Sequence, residues 1–292
     1  MPVYDHRYRP WTGERRGEHS AILTIARHAL GRVAASRLNL VLFALACVPP
    51  LGFATFIYLS NNLQMLADLG LRANIDLVDS STFFVYLIVQ SGAGFLLAAL
   101  VGPGLVAPDL AHGAMPLYLS RPIARRDYVL GKLVVLAGML SLITWIPGLL
   151  LVGLQAALAP AGWMGSHLRL PFALVAGSWL WIALVSLLAL AISAWVRWRP
   201  LATAMLFIVF VVGEAFGRAV NVFLDTRWGK LVILDDLIET VWLALFGGVG
   251  EASGLLARDP LPLGAALAAL ALALTLAVAM LAARVRAVEV SR

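Results

Sequence analysis

A single cysteine, Cys47, stands in a chain of 292 residues, which excludes a disulfide within the chain and a Cys/His zinc pattern. It lies inside an apolar run and reads as a small packing residue. Charge is scarce as well. Asp, Glu, Lys and Arg make up 13% of the chain, about half the share usual in a soluble domain. A nucleotide-binding loop is also missing, because the pattern G-x-x-x-x-G-K-[ST] fails at both Gly-Lys pairs. Gly131-Lys132 is followed by Leu133 and has Arg126 where the first glycine belongs; Gly229-Lys230 is followed by Leu231 and has Leu224 there. The chain is therefore expected not to be an enzyme that hydrolyses ATP by itself. There is no G-x-S-x-G elbow and no H-E-x-x-H helix. The five histidines, His6, His19, His28, His112 and His167, are scattered, so neither a catalytic group nor a metal site is expected.

What the chain has in abundance is apolar sequence: 61% of residues are hydrophobic and the mean hydropathy is +0.89. About 20 apolar residues cross a hydrocarbon core of about 30 Å. Six runs qualify or nearly so, at about 38–59, 83–107, 129–158, 172–196, 201–223 and 261–283. They are long and continuous, not ten-residue alternations, so they are predicted to be helices. The expected fold is an all-α integral membrane protein. A cytoplasmic tail with an amphipathic helix would occupy 1–37, a six-helix transmembrane domain 38–286, and a short cytoplasmic C-terminus 287–292.

An even number of spans puts both termini on one side. With the termini inside, sixteen of the 22 Lys and Arg lie inside; Arg72, Arg169, Arg218, Arg227, Lys230 and Arg258 lie outside. Acidic residues run the other way, six inside and ten outside. This fits the positive-inside rule and predicts a multi-pass protein of a bacterial cytoplasmic membrane. The net charge of +6 is accounted for by these flanking cations, and no nucleic-acid partner is expected.

Within the tail, Ile22, Leu23, Ile25, Ala26, Ala29, Leu30 and Val33 mark one side of a helix and Arg27, Arg32 and Arg37 the others, as in a helix lying along the inner leaflet. Between spans five and six, the segment 231–246 is apolar but interrupted by Asp235, Asp236 and Glu239. Burying three carboxylates at a helix centre would cost about 2.5–3.5 kcal/mol each on insertion scales. One or two interfacial or re-entrant outer helices, capped by Gly247-Gly248, are expected instead of a seventh span. Pro49-Pro50, Pro103 and Pro147 interrupt spans and either kink them or are tolerated. Trp163, Trp179, Trp181, Trp195, Trp198, Trp228 and Trp242 fall mostly near span ends, as aromatic belts do. Glu214 and Arg218, four apart with the acid first, form a candidate intramembrane pair, either structural or facing substrate.

One polar interruption stands out. Asp109 follows Pro108 at the inner end of span two. After it come Gly113 and Ala114, an apolar set with Met115, Leu117, Tyr118 and Leu119, the turn Ser120-Arg121-Pro122, then Arg125-Arg126 before the chain re-enters the membrane at Tyr128 to Gly131-Lys132. By charge alone this is an ordinary cytoplasmic loop with snorkelling arginines, or a short helix parallel to the membrane.

The residue order resembles the loop between spans two and three of ABC-2 type ABC transporter permeases. That pattern is an acidic residue, three residues, glycine, a small residue, an apolar run ending near serine, x-Pro-[Val/Ile]-x-Arg, an apolar patch and Gly-Lys. Here it is carried by Asp109, Gly113, Ala114, Met115 to Leu119, Ser120, Pro122, Ile123, Arg125, Tyr128 to Leu130 and Gly131-Lys132. Aspartate stands where glutamate is commoner, Ala114 replaces a frequent threonine, and Pro116 falls within the expected helix. The match is direct over about 25 residues, and the six-span plan extends it loosely.

The resemblance implies a coupling helix that docks on a separate cytosolic ABC ATPase. Two permeases, identical or paralogous, would pair with two ATPases, which carry the ATP and Mg; this chain would bind no cofactor of its own. Gly113–Leu119 would sit in a groove of the ATPase. Arg121, Arg125 and Arg126 would meet acidic groups at its rim, and Asp109 would cap the short helix or hold the basic N-terminal helix. Such an assembly is expected to export its substrate across lipid. The rivals are an ion-coupled secondary transporter, which predicts midplane carboxylates and broken helices in matching halves, and a membrane anchor that recruits an ATPase without transport.

Overall fold

The computed structural model describes residues 19–62, 78–111, 125–196, 198–248 and 261–284. Ten helices account for most of them: α1 (His19–Ala34), α2 (Arg37–Ala46), α3 (Val48–Asn61), α4 (Ser80–Ala111), α5 (Arg125–Ile143), α6 (Trp145–Leu158), α7 (Arg169–Trp195), α8 (Arg199–Phe223), α9 (Leu234–Phe246) and α10 (Leu263–Arg284). A helical turn at Trp163–Ser166 and a 3₁₀ turn at Trp228–Val232 complete the described residues, among which there is no strand. Six helical stretches are long and apolar enough to cross a membrane: Arg37–Asn61, Ser80–Asp109, Arg126–Leu158, Arg169–Trp195, Arg199–Phe223 and Leu263–Arg284. Even the shortest, at 22 residues, rises about 33 Å. These are the six spans read from the apolar runs.

α7 is the hub. Of its apolar stretch 61% is buried, against 17% for the first and fifth spans, because α4, α5, α8, α9 and α10 all pack around it. Trp181 and Trp242 belong to this packing and not to an interfacial belt. Trp181 is 4% and Trp242 3% exposed, and the Trp242 indole N–H donates to the Gly177 carbonyl across α7 at 3.0 Å. Their position along the chain suggested a belt, but their large rings fill the middle of the bundle instead. Trp179, Trp195, Trp198 and Trp228 are exposed, as belt residues would be.

Two spans are not single helices. The first breaks at Cys47 between α2 and α3, and the third at Thr144 between α5 and α6. The prolines explain the first break, and α4 repairs it. In a helix the carbonyl of residue i accepts from the N–H of i+4, which proline lacks. Pro50 therefore leaves the Ala46 carbonyl without its partner, and the Gln90 side-chain amide donates to that oxygen at 2.7 Å. One turn earlier on α4, the Tyr86 hydroxyl donates at 2.7 Å to the Thr144 carbonyl at the other break, an oxygen that also accepts from the Gly148 N–H at 3.1 Å. Pro103 sits inside the continuous α4; the carbonyl it deprives, Ala99, accepts from the Thr203 hydroxyl of α8 at 2.9 Å. In a medium without water such donors are what make a broken ladder tolerable.

Beyond α8 the chain folds back on itself. Gly217 of α8 and Gly229 of the 3₁₀ turn meet backbone to backbone: a Cβ on Gly229 would lie 2.2 Å from the Gly217 carbonyl oxygen. No other residue type permits this approach. The Gly229 N–H donates to Asn221 Oδ1 at 2.8 Å, so the turn is tied as well as packed. α9 follows. With 13 residues it is about 20 Å long, too short to cross a bilayer. Asp235 and Asp236 occupy its first turn, where the helix dipole favours acids. Gly247, at φ +87°, ends it, and the Arg169 guanidinium donates to the Leu245 and Ala244 carbonyls at 2.7 and 2.5 Å. The expected glycine cap is present, and an arginine from α7 completes it.

Candidate functional site

At the end of the bundle where α4 stops and α5 starts, three side chains converge on one carboxylate. Asp109 is 6% exposed. Its Oδ2 accepts from the Tyr128 hydroxyl at 2.9 Å and from Lys132 Nζ at 2.8 Å; its Oδ1 lies 3.6 Å from the Arg32 guanidinium. Tyr128 and Lys132 are four apart on α5 and so share a face. Lys132 Nζ also lies 5.3 Å from the centroid of the Tyr128 ring. Lys132 is 1% exposed and two turns inside the helix, so without Asp109 it would be a bare cation in an apolar bundle. Arg32 comes from α1 and covers the carboxylate from outside, its side chain 42% exposed.

α1 reaches this position through Gly131. A Cβ there would sit 2.8 Å from Ile25 Cγ2 and 3.3 Å from the Ile22 carbonyl oxygen, so the glycine lets α1 lie directly on α5. The helix has three distinct sides. Ile25, Ala26, Ala29 and Val33 are buried in the contact; Leu23 and Leu30 are exposed on one flank; His28 and Arg32 lie on the opposite flank, with Thr24.

Asp109 meets the basic N-terminal helix through Arg32, while the short helix it could alternatively cap lies outside the described residues. Gly113, Met115, Leu117, Tyr118, Leu119, Arg121 and Pro122 lie outside the described residues, and so does the coupling helix they were expected to form. Arg125 opens α5. The Arg126 side chain is exposed and lies 3.8 Å from Asp127. Sequence placed Tyr128 and Lys132 in the loop pattern and Arg32 on the amphipathic helix, but assigned none of them to a site. A usable signal existed: a lysine two turns inside a span requires a carboxylate, and Asp109 is the acidic residue at the corresponding end of the preceding span.

The Glu214–Arg218 pair forms, at 2.5 Å, but on the surface of α8, with the two side chains 43% and 52% exposed. It does not face the interior of the bundle. Asp235, on α9, is close enough to feel Glu214. Crowding by the surrounding protein, then the charges of Glu214 and Asp236, raise its carboxyl from 3.8 to about 6, although the tip of the side chain still meets solvent. No group of three or more metal-ligating side chains occurs among the described residues.

No protein-family model and no curated protein matches this sequence.

Proposed function

We propose that this chain is the membrane-embedded permease subunit of an ATP-driven ABC exporter, powered by a cytosolic ABC ATPase that docks on the segment between α4 and α5. Two copies of the permease, or this chain and a paralogue, would pair with two ATPases in a bacterial cytoplasmic membrane, the Asp109 end facing the cytosol. ATP and Mg belong to the partner. The observation that carries the reading is the Asp109–Lys132 pair. It locks together the two helices flanking the docking segment and, through Arg32, attaches α1 to the same point. A push on that segment would move α4, α5 and α1 as one body.

The three-sided α1 supports the arrangement. With its buried side on α5, the flank carrying Leu23 and Leu30 would enter the lipid, while His28 and Arg32 would remain at headgroup and cytosolic level, as in an interfacial helix. α9 and the 3₁₀ turn would form the outer re-entrant element. Transport would follow from differential affinity: ATP-bound partners must favour one permease conformation over the other. The Met115–Leu119 contacts would supply most of the binding, and Arg121, Arg125 and Arg126 would steer encounter.

The test is co-purification. Gly113→Arg and Leu117→Asp are each expected to release the ATPase from detergent-solubilised complex while the permease keeps its size-exclusion profile. Undiminished co-purification in both variants would refute the docking role.

A further inference from the structure

The opposite end of the bundle holds a second polar feature that the transporter reading does not use. Where α3 and α6 end, the turn at Trp163–Ser166 encloses a hollow of about 350 Å³, lined by Ser60, Asn61, Gln155, Gly162, Trp163 and Ser166 among others. That volume falls within the range of small-molecule sites, about 300–1,000 Å³. Among the described residues, no Asp, Glu, Lys or Arg lines it.

Its hydrogen-bonding inventory is unusually well determined. Asn61 donates both N–H groups of its side chain, to the Ile57 carbonyl and to Gln155 Oε1, each at 2.8 Å. The backbone acceptor fixes which way the Asn61 amide points, and Asn61 in turn fixes Gln155. Gln155 is 5% exposed, and with its oxygen turned to Asn61 its amide N–H₂ finds no acceptor among the described residues. Ser60 donates its hydroxyl proton to the Phe56 carbonyl and Ser166 to that of Trp163, which leaves the Ser60 oxygen to accept; the Ser166 oxygen is shared with His167 Nδ1 at 2.9 Å. Asn61 Oδ1 is likewise left to accept. The hollow thus offers two fixed donors from a buried side chain and several acceptors. Trp163 stacks on His167 through one ring face, at 4.4 Å and 13° between planes. Among the described residues, an anion would meet more acceptors than donors here, and a cation would meet no carboxylate. A sugar ring, whose hydroxyls both donate and accept and whose C–H faces suit an indole, matches both requirements.

We infer that this hollow binds a neutral polyhydroxyl group, either the sugar headgroup of a glycolipid or a free saccharide. The inference rests on the hollow alone and does not depend on the ATPase. To test it, the full chain is purified without sugar-headed detergents and placed in phosphatidylcholine nanodiscs. One arm titrates methyl β-glucoside and maltose and reads saturation transfer by NMR. The other adds monoglucosyl diacylglycerol to the discs and reads retained lipid by native mass spectrometry. Two variants accompany each arm. Gln155→Leu removes the donors, and Ala161→Trp fills the hollow from its exposed rim without touching the amide pair. Saturable binding is expected in one arm, and that arm identifies the source; both variants should weaken it about tenfold or more, the loss of a hydrogen-bonding side chain or of the space itself. Absence of saturable binding by the folded wild type in both arms would overturn the inference. So would binding unchanged in Ala161→Trp, or equal competition by inorganic phosphate; the Asn61–Gln155 pair would then be interhelical glue and nothing more.

Discussion

Asp109–Lys132 and Glu214–Arg218 are both ion pairs on span helices, yet they do different work. The first joins two helices, is shielded almost completely, and recruits a tyrosine and an arginine from a third element. The second lies within one turn of α8, half exposed. Burial makes the difference. Removing one partner of a shielded pair strands a charge, whereas an exposed pair returns to water, or to the headgroups, at little loss. The first pair is therefore architecture and the second surface.

Substitutions should separate the two pairs by size of effect. The largest is expected at Lys132→Met or Asp109→Leu, each costing about 3–5 kcal/mol in a thermal or denaturant melt of the purified protein. The double variant Asp109→Leu with Lys132→Met should recover most of that loss. Equal destabilisation in the double variant would show that the pair is not the reason for the cost.

A neutral contact in the same bundle gives an intermediate case. Gln90→Leu is expected to cost about 1–2 kcal/mol, because the Ala46 carbonyl loses its donor. The cost is moderated because Gln90 Oε1 has no hydrogen-bond partner of its own. Pro50→Ala restores a backbone N–H four residues after Ala46, so Gln90→Leu with Pro50→Ala should melt closer to wild type than Gln90→Leu alone. Failure of this rescue would sink the proline account of the break.

The smallest effects belong to the outer pair and its neighbour. Arg218→Ala should change stability by less than about 0.5 kcal/mol. Asp235 adds a weak pH dependence. Its folded-state carboxyl titrates near 6, above the ordinary 3.8, so the folded state binds the proton more tightly. The resulting stabilisation is complete below 3.8 and lost as pH rises through about 6. Asp235→Asn should flatten this slope between those values, a difference readable by comparing melting profiles at acidic and neutral pH.

The spans were legible because the hydropathy pattern has only one good solution: runs longer than 20 residues with charges at their ends. α9 was legible as something other than a seventh span for a related reason, its three acids. Pro49-Pro50 and Pro147 marked where the breaks at Cys47 and Thr144 could fall, but not that the helices would break there. Proline marks where a ladder fails, but the donor that satisfies the freed carbonyl comes from another helix, as Gln90 does for Ala46, and is distant in sequence. Pro103 shows the converse, since α4 runs through it with Thr203 in attendance. The candidate site was half legible. The loop's residue order named Asp109 and Gly131-Lys132 as a unit, but sequence spacing does not reveal that one binds the other. Trp181 and Trp242 misled because an indole at a span end and one filling a core look alike in sequence.

The central claim is that the segment between α4 and α5 meets an ATPase. The most direct test replaces Leu117 with a photo-crosslinking amino acid in the full chain, in native membranes, with Leu267 on α10, 46% exposed, as a control. Irradiation should join position 117, and not position 267, to a cytosolic protein bearing a nucleotide-binding loop, identified by mass spectrometry. Adducts at 117 only with lipid or non-ATPase proteins, in a membrane where the chain is folded, would contradict the account.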